Sequence, residues 1–96
     1  MVSLFKSGAI LNFVVTKTGY DEAVTRDIEK ITLSTLKNSG DTIEFTDKVT
    51  ANLLARFGQV FHCFIYKVNF GFYCVRSEKG RFCLMTNAEV KILIFQ

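Results

Sequence analysis

Proline is absent from the 96-residue chain. Every strand therefore keeps its full set of backbone donors, and none is confined to a sheet edge by a missing N–H. There is no apolar run of the ~18–20 residues that a bilayer span needs. The stretch from Gly8 to Val15 is broken by Asn12 and lacks a small-residue cleavage site, which argues against a signal peptide. Lysine and arginine number 12 against 9 acidic residues, a net charge of +3. They are scattered with no basic run, so neither nucleic acid nor membrane is expected as a partner. Cysteine is scarce and odd in number: Cys63, Cys74 and Cys83. Without a secretion signal these read as buried free thiols in a reducing, intracellular setting.

Catalytic constellations are missing too. The single histidine, His62, adjoins Cys63, but neighbours on a strand point to opposite faces, so the two do not pair. Nothing in the surrounding sequence lowers a thiol pKa. One histidine and three cysteines without C-x-x-C spacing do not make a structural zinc site. Gly71 lies among aromatics and Gly80 in a turn, so no glycine loop cradles a phosphate, and Glu78 and Glu89 flank strands rather than forming an acid pair. The expectation is a non-enzyme with no metal and no cofactor.

What the chain has in excess is apolar surface. Hydrophobic residues make up 49% and mean hydropathy is +0.24. A domain this small buries only a modest share of its surface, so the surplus predicts an interface with another chain.

The pattern along the chain predicts an N-terminal extension over residues 1–8 and one domain over 9–96. Ala9 to Thr16 reads as a strand, and Thr18-Gly19-Tyr20-Asp21 turns it, with Asp21 as an N-cap. Val24, Ile28, Ile31 and Thr35 then fall on one helical face, flanked by Leu36. Asn38-Ser39-Gly40 closes that helix, Gly40 suiting a left-handed turn. Asp41 and Glu44 resemble a capping box before a second helix, in which Phe45, Val49, Leu53 and Phe57 recur every four residues up to Gly58. Four short runs rich in aromatic and β-branched residues follow between Phe61 and Phe95. The expected class is α+β: an N-terminal strand, two amphipathic helices, then a four-stranded antiparallel sheet.

Two features have two readings each. Asn69-Phe70-Gly71-Phe72-Tyr73 puts a glycine inside a strand, which marks either a bulge or an edge where another backbone docks. His62 is either a satisfied core or interface residue or one of a pair facing across a twofold axis. Protonation of such a pair would loosen the interface at acid pH.

The order strand–helix–helix–strands, with Phe61-His62-Cys63, Asn69-Phe70-Gly71-Phe72-Tyr73 and Val90-Lys91-Ile92-Leu93-Ile94-Phe95, resembles the eight-kilodalton dynein light chain family from about Val14 to Phe95. Members typically read Trp-His-Cys, Asn-Phe-Gly-Ser-Tyr and Val-Ala-Ile-Leu-Leu-Phe there. The resemblance implies a homodimer in which the strand Asn69 to Val75 crosses into the partner's sheet, with His62, Asn69, Phe70 and Tyr73 at the dimer interface. It also implies two symmetric grooves in which an extended client segment adds as a strand, contacting Asn69, Phe70, Gly71, Phe72, Tyr73, Cys74 and Val75, with Phe82 and Leu93 at the floor. Free amides at the start of the second helix, Asp41-Thr42, would receive a polar client side chain. Clients would be segments of dynein intermediate or heavy chains or of other proteins, in a cytoplasmic, cytoskeletal setting. Phe-Gly-Phe also occurs in axonemal relatives, which extends that setting to cilia. The chain departs from the family at Leu84 and Thr86, where it has tyrosines, at Lys91 for alanine, at Phe72 for serine and at Ile43 for lysine. These changes alter the side-chain pockets and question the Thr-Gln-Thr client motif. They motivate an alternative, a purely structural subunit with a degenerate groove.

Overall fold

A computed structural model of the chain describes residues 12–67 and 80–96. Its elements run β1 (Val14–Thr18), α1 (Glu22–Lys37), α2 (Thr42–Phe57), β2 (His62–Lys67), β3 (Phe82–Thr86) and β4 (Val90–Phe95). The strands form one antiparallel sheet in the order β1-β3-β4-β2, and both helices pack on one of its faces. The α+β architecture holds, with β1 joining the sheet of the later strands. The expected strand over Asn69–Val75, and its exchange between subunits, lie outside the described residues.

Helix boundaries follow from their caps. The Asp21 carboxylate accepts from the Val24 amide at 2.9 Å, and the Asp41 carboxylate accepts from Glu44 at 2.8 Å. Each answers one of the unpaired amides of a first helical turn. The Glu44 carboxylate reaches back to the amide of Gly40 at 2.7 Å, one residue upstream of the usual box partner. Gly40 thus serves as a donor, and the left-handed turn expected there does not form: α1 ends on Asn38 at φ −103°. The left-handed stop falls after α2, on Gly58 at φ +69°, whose amide donates to the Leu54 carbonyl.

The core lies between the helices and the inner face of the sheet. Phe45, Val49 and Leu53 of α2 are fully buried, and Phe57 packs at their edge, as the four-residue spacing requires. They meet Cys83, Met85, Val90, Ile92 and Ile94, which alternate inward along β3 and β4. On α1 the buried face is rotated from the expected one. It comprises Thr25, Ile28, Thr32, Thr35 and Leu36, while Val24 and Ile31 are only half-buried. Two of these threonines find local partners: Thr35 donates to the Ile31 carbonyl at 2.7 Å and Thr25 shares a 3.0 Å bond with Thr18, whereas the Thr32 hydroxyl is buried without a hydrogen-bond partner among the described residues.

β1 begins later than expected, at Val14, and runs to Thr18; residues 9–11 of the expected strand lie outside the described residues. Its pairing with β3 carries a bulge. Val15 pairs with Met85 and Lys17 with Leu84, which leaves Thr16 extra. The Thr16 hydroxyl bonds the Leu84 carbonyl at 3.3 Å and the Thr86 hydroxyl at 3.0 Å. Beyond β1 the chain nearly touches itself. A methyl group built on Gly19 would stand 1.7 Å from the Gly80 carbonyl oxygen, and the Gly19 amide donates to Phe82 at 2.9 Å.

Candidate functional site: the free edge of β2

β2 pairs with β4 over six consecutive residues, from His62 opposite Phe95 to Lys67 opposite Val90, with no bulge. Among the described residues no strand pairs with its other side. A regular edge of this length presents a row of unpaired backbone donors and acceptors, a template for a further strand.

Alternation along β2 divides its side chains. Cys63 and Ile65 face the helices and join the core. His62 and Phe64 are exposed on the opposite face. There they continue rows across the sheet: His62–Phe95–Phe82, Phe64–Leu93–Leu84 and Tyr66–Lys91–Thr86. The Phe64 and Phe95 rings stack at 6.0 Å between centroids, and His62 lies 5.3 Å from Phe95. Leu84 and Leu93 are buried on this face, away from the helix-packed core.

A groove of about 570 Å³ wraps round the edge of β2. One wall is the outer surface of α2, chiefly Asp47, Thr50, Ala51 and Leu54, and the other is formed by His62 and Phe64 with Phe95. Among the described residues five large apolar residues are exposed, and three of them (Leu54, Val60 and Phe64) line this groove. Exposed apolar side chains gathered on one side mark an interaction surface rather than the scatter usual on a monomer.

Of the residues that the sequence singles out, His62 lines this groove. Phe82 and Leu93 sit on the outer sheet face, in line with Phe95 and Phe64 respectively. Residues 69–75 lie outside the described residues. The resemblance implies the second helix as a flank of the groove, but the wall residues Asp47, Thr50, Ala51 and Leu54 escape the sequence reading, although one signal is available: Ala51 and Leu54 fall off the Phe45–Val49–Leu53–Phe57 face and are apolar without being core.

The two thiols among the described residues, Cys63 and Cys83, are not poised for chemistry. Burial pushes Cys63 up to about 12 and Cys83 up to about 11, opposite to the shift an attacking thiolate needs. Cys63 and Cys83 both lie opposite Ile94, on either side of β4. That places them two strand spacings, roughly 9–10 Å, apart, too far for a disulfide. Among the described residues no group of three His, Cys, Asp or Glu side chains is arranged to hold a metal, and no helix is long and apolar enough to cross a membrane. No protein-family model matches the chain, and no curated protein matches it.

Proposed function

We propose that the protein is a non-catalytic homodimeric adaptor that captures extended segments of other proteins by strand addition. The observation that carries this reading is the unoccupied side of β2: a regular six-residue edge, free among the described residues, beside an apolar groove walled by α2. A second copy would contribute residues 69–75 to that edge, and the client's extended segment would add to the outer rim of the crossed strand. Main-chain hydrogen bonds would supply affinity, and side-chain pockets specificity. A dimer holding two linked client segments gains roughly 10²–10⁴ in avidity without new contacts.

The resemblance to the eight-kilodalton dynein light chains points to dynein intermediate or heavy chains as clients and to a cytoskeletal location. The topology supports it to this extent: β2 and β3 run parallel with β4 between them, so β2 ends and β3 begins at opposite ends of the sheet. An added strand on β2 would span that distance.

Two measurements test the reading. Molar mass in solution at neutral pH is expected to be twice the 10.9 kDa of the chain; a monomer at high concentration refutes strand exchange. Gly71→Val is expected to abolish peptide capture while leaving the dimer intact, and unchanged capture counts against the groove. A protein that captures no linear segment yet co-purifies in one fixed complex would instead be a structural subunit, the reading that Leu84, Thr86 and Lys91 favour.

A further inference from the structure

The edge of β2 has two possible occupants, residues 69–75 of a second copy or the same residues of the chain itself, and the ends of the neighbouring strands decide between them. β2 ends at Lys67 and β3 begins at Phe82. A two-residue turn over Val68-Asn69, the commonest hairpin connection, would lay Phe70 opposite Lys67 and Val75 opposite His62, along the chain's own edge. His62 stands opposite Phe95, and Phe95 opposite Phe82. Val75 would then lie three strand spacings from Phe82, roughly 14–15 Å.

The far end of that path is pinned. Gly80 adopts φ +63°, its carbonyl accepts from the Phe82 amide at 3.1 Å, and the Gly19 amide donates to the Phe82 carbonyl at 2.9 Å. Gly80 packs against Gly19, just past β1, on the side of β3 that faces away from β2. From Val75 the chain would have to pass β2, β4 and β3 to reach Gly80 in five residue steps, which span at most roughly 17–18 Å fully extended. The straight path is also occupied. Gln96, which continues β4, donates its amide to the Arg81 carbonyl at 3.0 Å. Its side chain accepts from the Tyr20 hydroxyl at 2.8 Å and donates to Gln59 at 2.9 Å. The four residues Arg76 to Lys79 have no length left to go round it.

We infer that the pin at Gly19 and Gly80, with the short tether of residues 76–79, keeps residues 69–75 off their own β2 and so directs them onto a second copy. This rests on the strand-exchange reading and supplies its cause, since short hinge segments under strain drive exchange between subunits. The width of the chain's own sheet sets the distance to its own edge but not the distance to a partner's. A longer tether turns the contact inward. Pairing within one chain then proceeds at an effective concentration of about mM, far above that of a dilute protein solution.

The test lengthens the tether in the full chain. Inserting Gly-Ser-Gly-Ser-Gly-Ser between Lys79 and Gly80 adds about 20 Å of reach. Sedimentation equilibrium is expected to show the parent as a dimer and the insertion variant as a folded monomer, its dimer dissociation constant raised at least tenfold. A Gly-Ser insertion at the same place is expected to fall between the two. Replacing Arg76 to Lys79 by Gly-Ser-Gly-Ser, at unchanged length, is expected to leave the dimer intact. Urea unfolding checks that each variant folds. An insertion variant that dimerises as the parent does overturns this inference alone. So does loss of the dimer at unchanged length, which would make the side chains of the tether decisive rather than its reach. Failure of both insertion variants to fold overturns it too, because a chain able to fill its own edge needs no partner to fold. A parent that is itself monomeric takes the strand-exchange reading down with it.

Discussion

The two outer strands of this sheet carry apolar residues of equal exposure, Val14 on β1 at 59% and Phe64 on β2 at 58%, yet the edges are built differently. β1 has five residues, a bulge at Thr16 and a lysine next to it, and it is fastened at its far end where Gly19 meets Gly80. Bulges, short length and lysine are the devices by which edges are kept from pairing. β2 has none of them along its central run. It is regular over six residues, has its lysine only at the terminus, and is bordered by a groove instead of a tether. Among the described residues one edge is closed by construction and the other is left open, which is why the proposed function is placed on β2.

The largest expected effect tests the closed edge. Gly19→Ala places a methyl group where the Gly80 carbonyl oxygen already is, 1.7 Å away, and both sides of the clash are backbone. The cost should reach about 3 kcal/mol, the upper end of overpacking, as read from urea unfolding. A loss below about 1 kcal/mol would show that the turn at Gly80 yields and that β1 is not fastened there.

Alkaline pH compares the thiols flanking β4. The folded Cys63 titrates near 12, because burial disfavours its thiolate, against an ordinary value of 9.0; Cys83 is raised less, to about 11, since the Thr18 hydroxyl offsets part of the burial. Above pH 9 the unfolded chain gives up these protons first, so the native state holds more protons and stability falls as pH rises. The contribution is complete below 9 and lost between 9 and 11 for Cys83, or 12 for Cys63. Each thiol adds a slope of up to about 1.4 kcal/mol per pH unit in its window. Cys83→Ala should flatten the decline between 9 and 11 only, and Cys63→Ala should flatten it up to 12. Equal flattening by the two would mean that the Thr18 hydroxyl does not favour the Cys83 thiolate in the folded chain.

Much of this architecture can be read from residues that act locally. Asp21, Asp41 and Gly58 announce helix ends because their roles depend only on neighbours two to four positions away. Phe45, Val49, Leu53 and Phe57 reveal their face because all four are apolar. On α1 the periodicity finds Ile28, Thr35 and Leu36 but passes over Thr25 and Thr32, because threonine counts as polar: the Thr25 hydroxyl is satisfied by Thr18, and that of Thr32 is buried without a hydrogen-bond partner among the described residues. Gly40 was misassigned because a donor for Glu44 and a left-handed stop call for the same residue. The strands after α2 were legible in type, but which edge stays open depends on the order β1-β3-β4-β2, a long-range property that no local pattern encodes. A groove is implied by the resemblance, but its wall residues Asp47, Thr50, Ala51 and Leu54 are not legible, because they come together with β2 only when α2 is laid beside it.

A matched pair of substitutions puts the open edge to the test. Phe64→Lys and Val14→Lys replace equally exposed apolar residues, so each should change monomer stability by less than about 1 kcal/mol. Under the proposed dimer Phe64→Lys should weaken association at least tenfold, about 1.4 kcal/mol, while Val14→Lys leaves it unchanged. Sedimentation equilibrium reads both. Equal losses, or none, would erase the functional distinction between the edges.

The smallest effect asks what holds the bulge. Thr16→Val keeps the β-branched shape that suits a strand and removes the hydroxyl that bonds the Leu84 carbonyl and Thr86. Being exposed, these bonds should be worth about 0.5–1 kcal/mol. If side-chain bonding sets the bulge, its loss lets β1 straighten, and the edge gains the regular ladder that makes β2 receptive. Light scattering should then show concentration-dependent association beyond the proposed dimer. A valine variant that is slightly less stable but no more associative would mean that the backbone fixes the bulge, and that β1 is closed by its fastening at Gly19 rather than by Thr16.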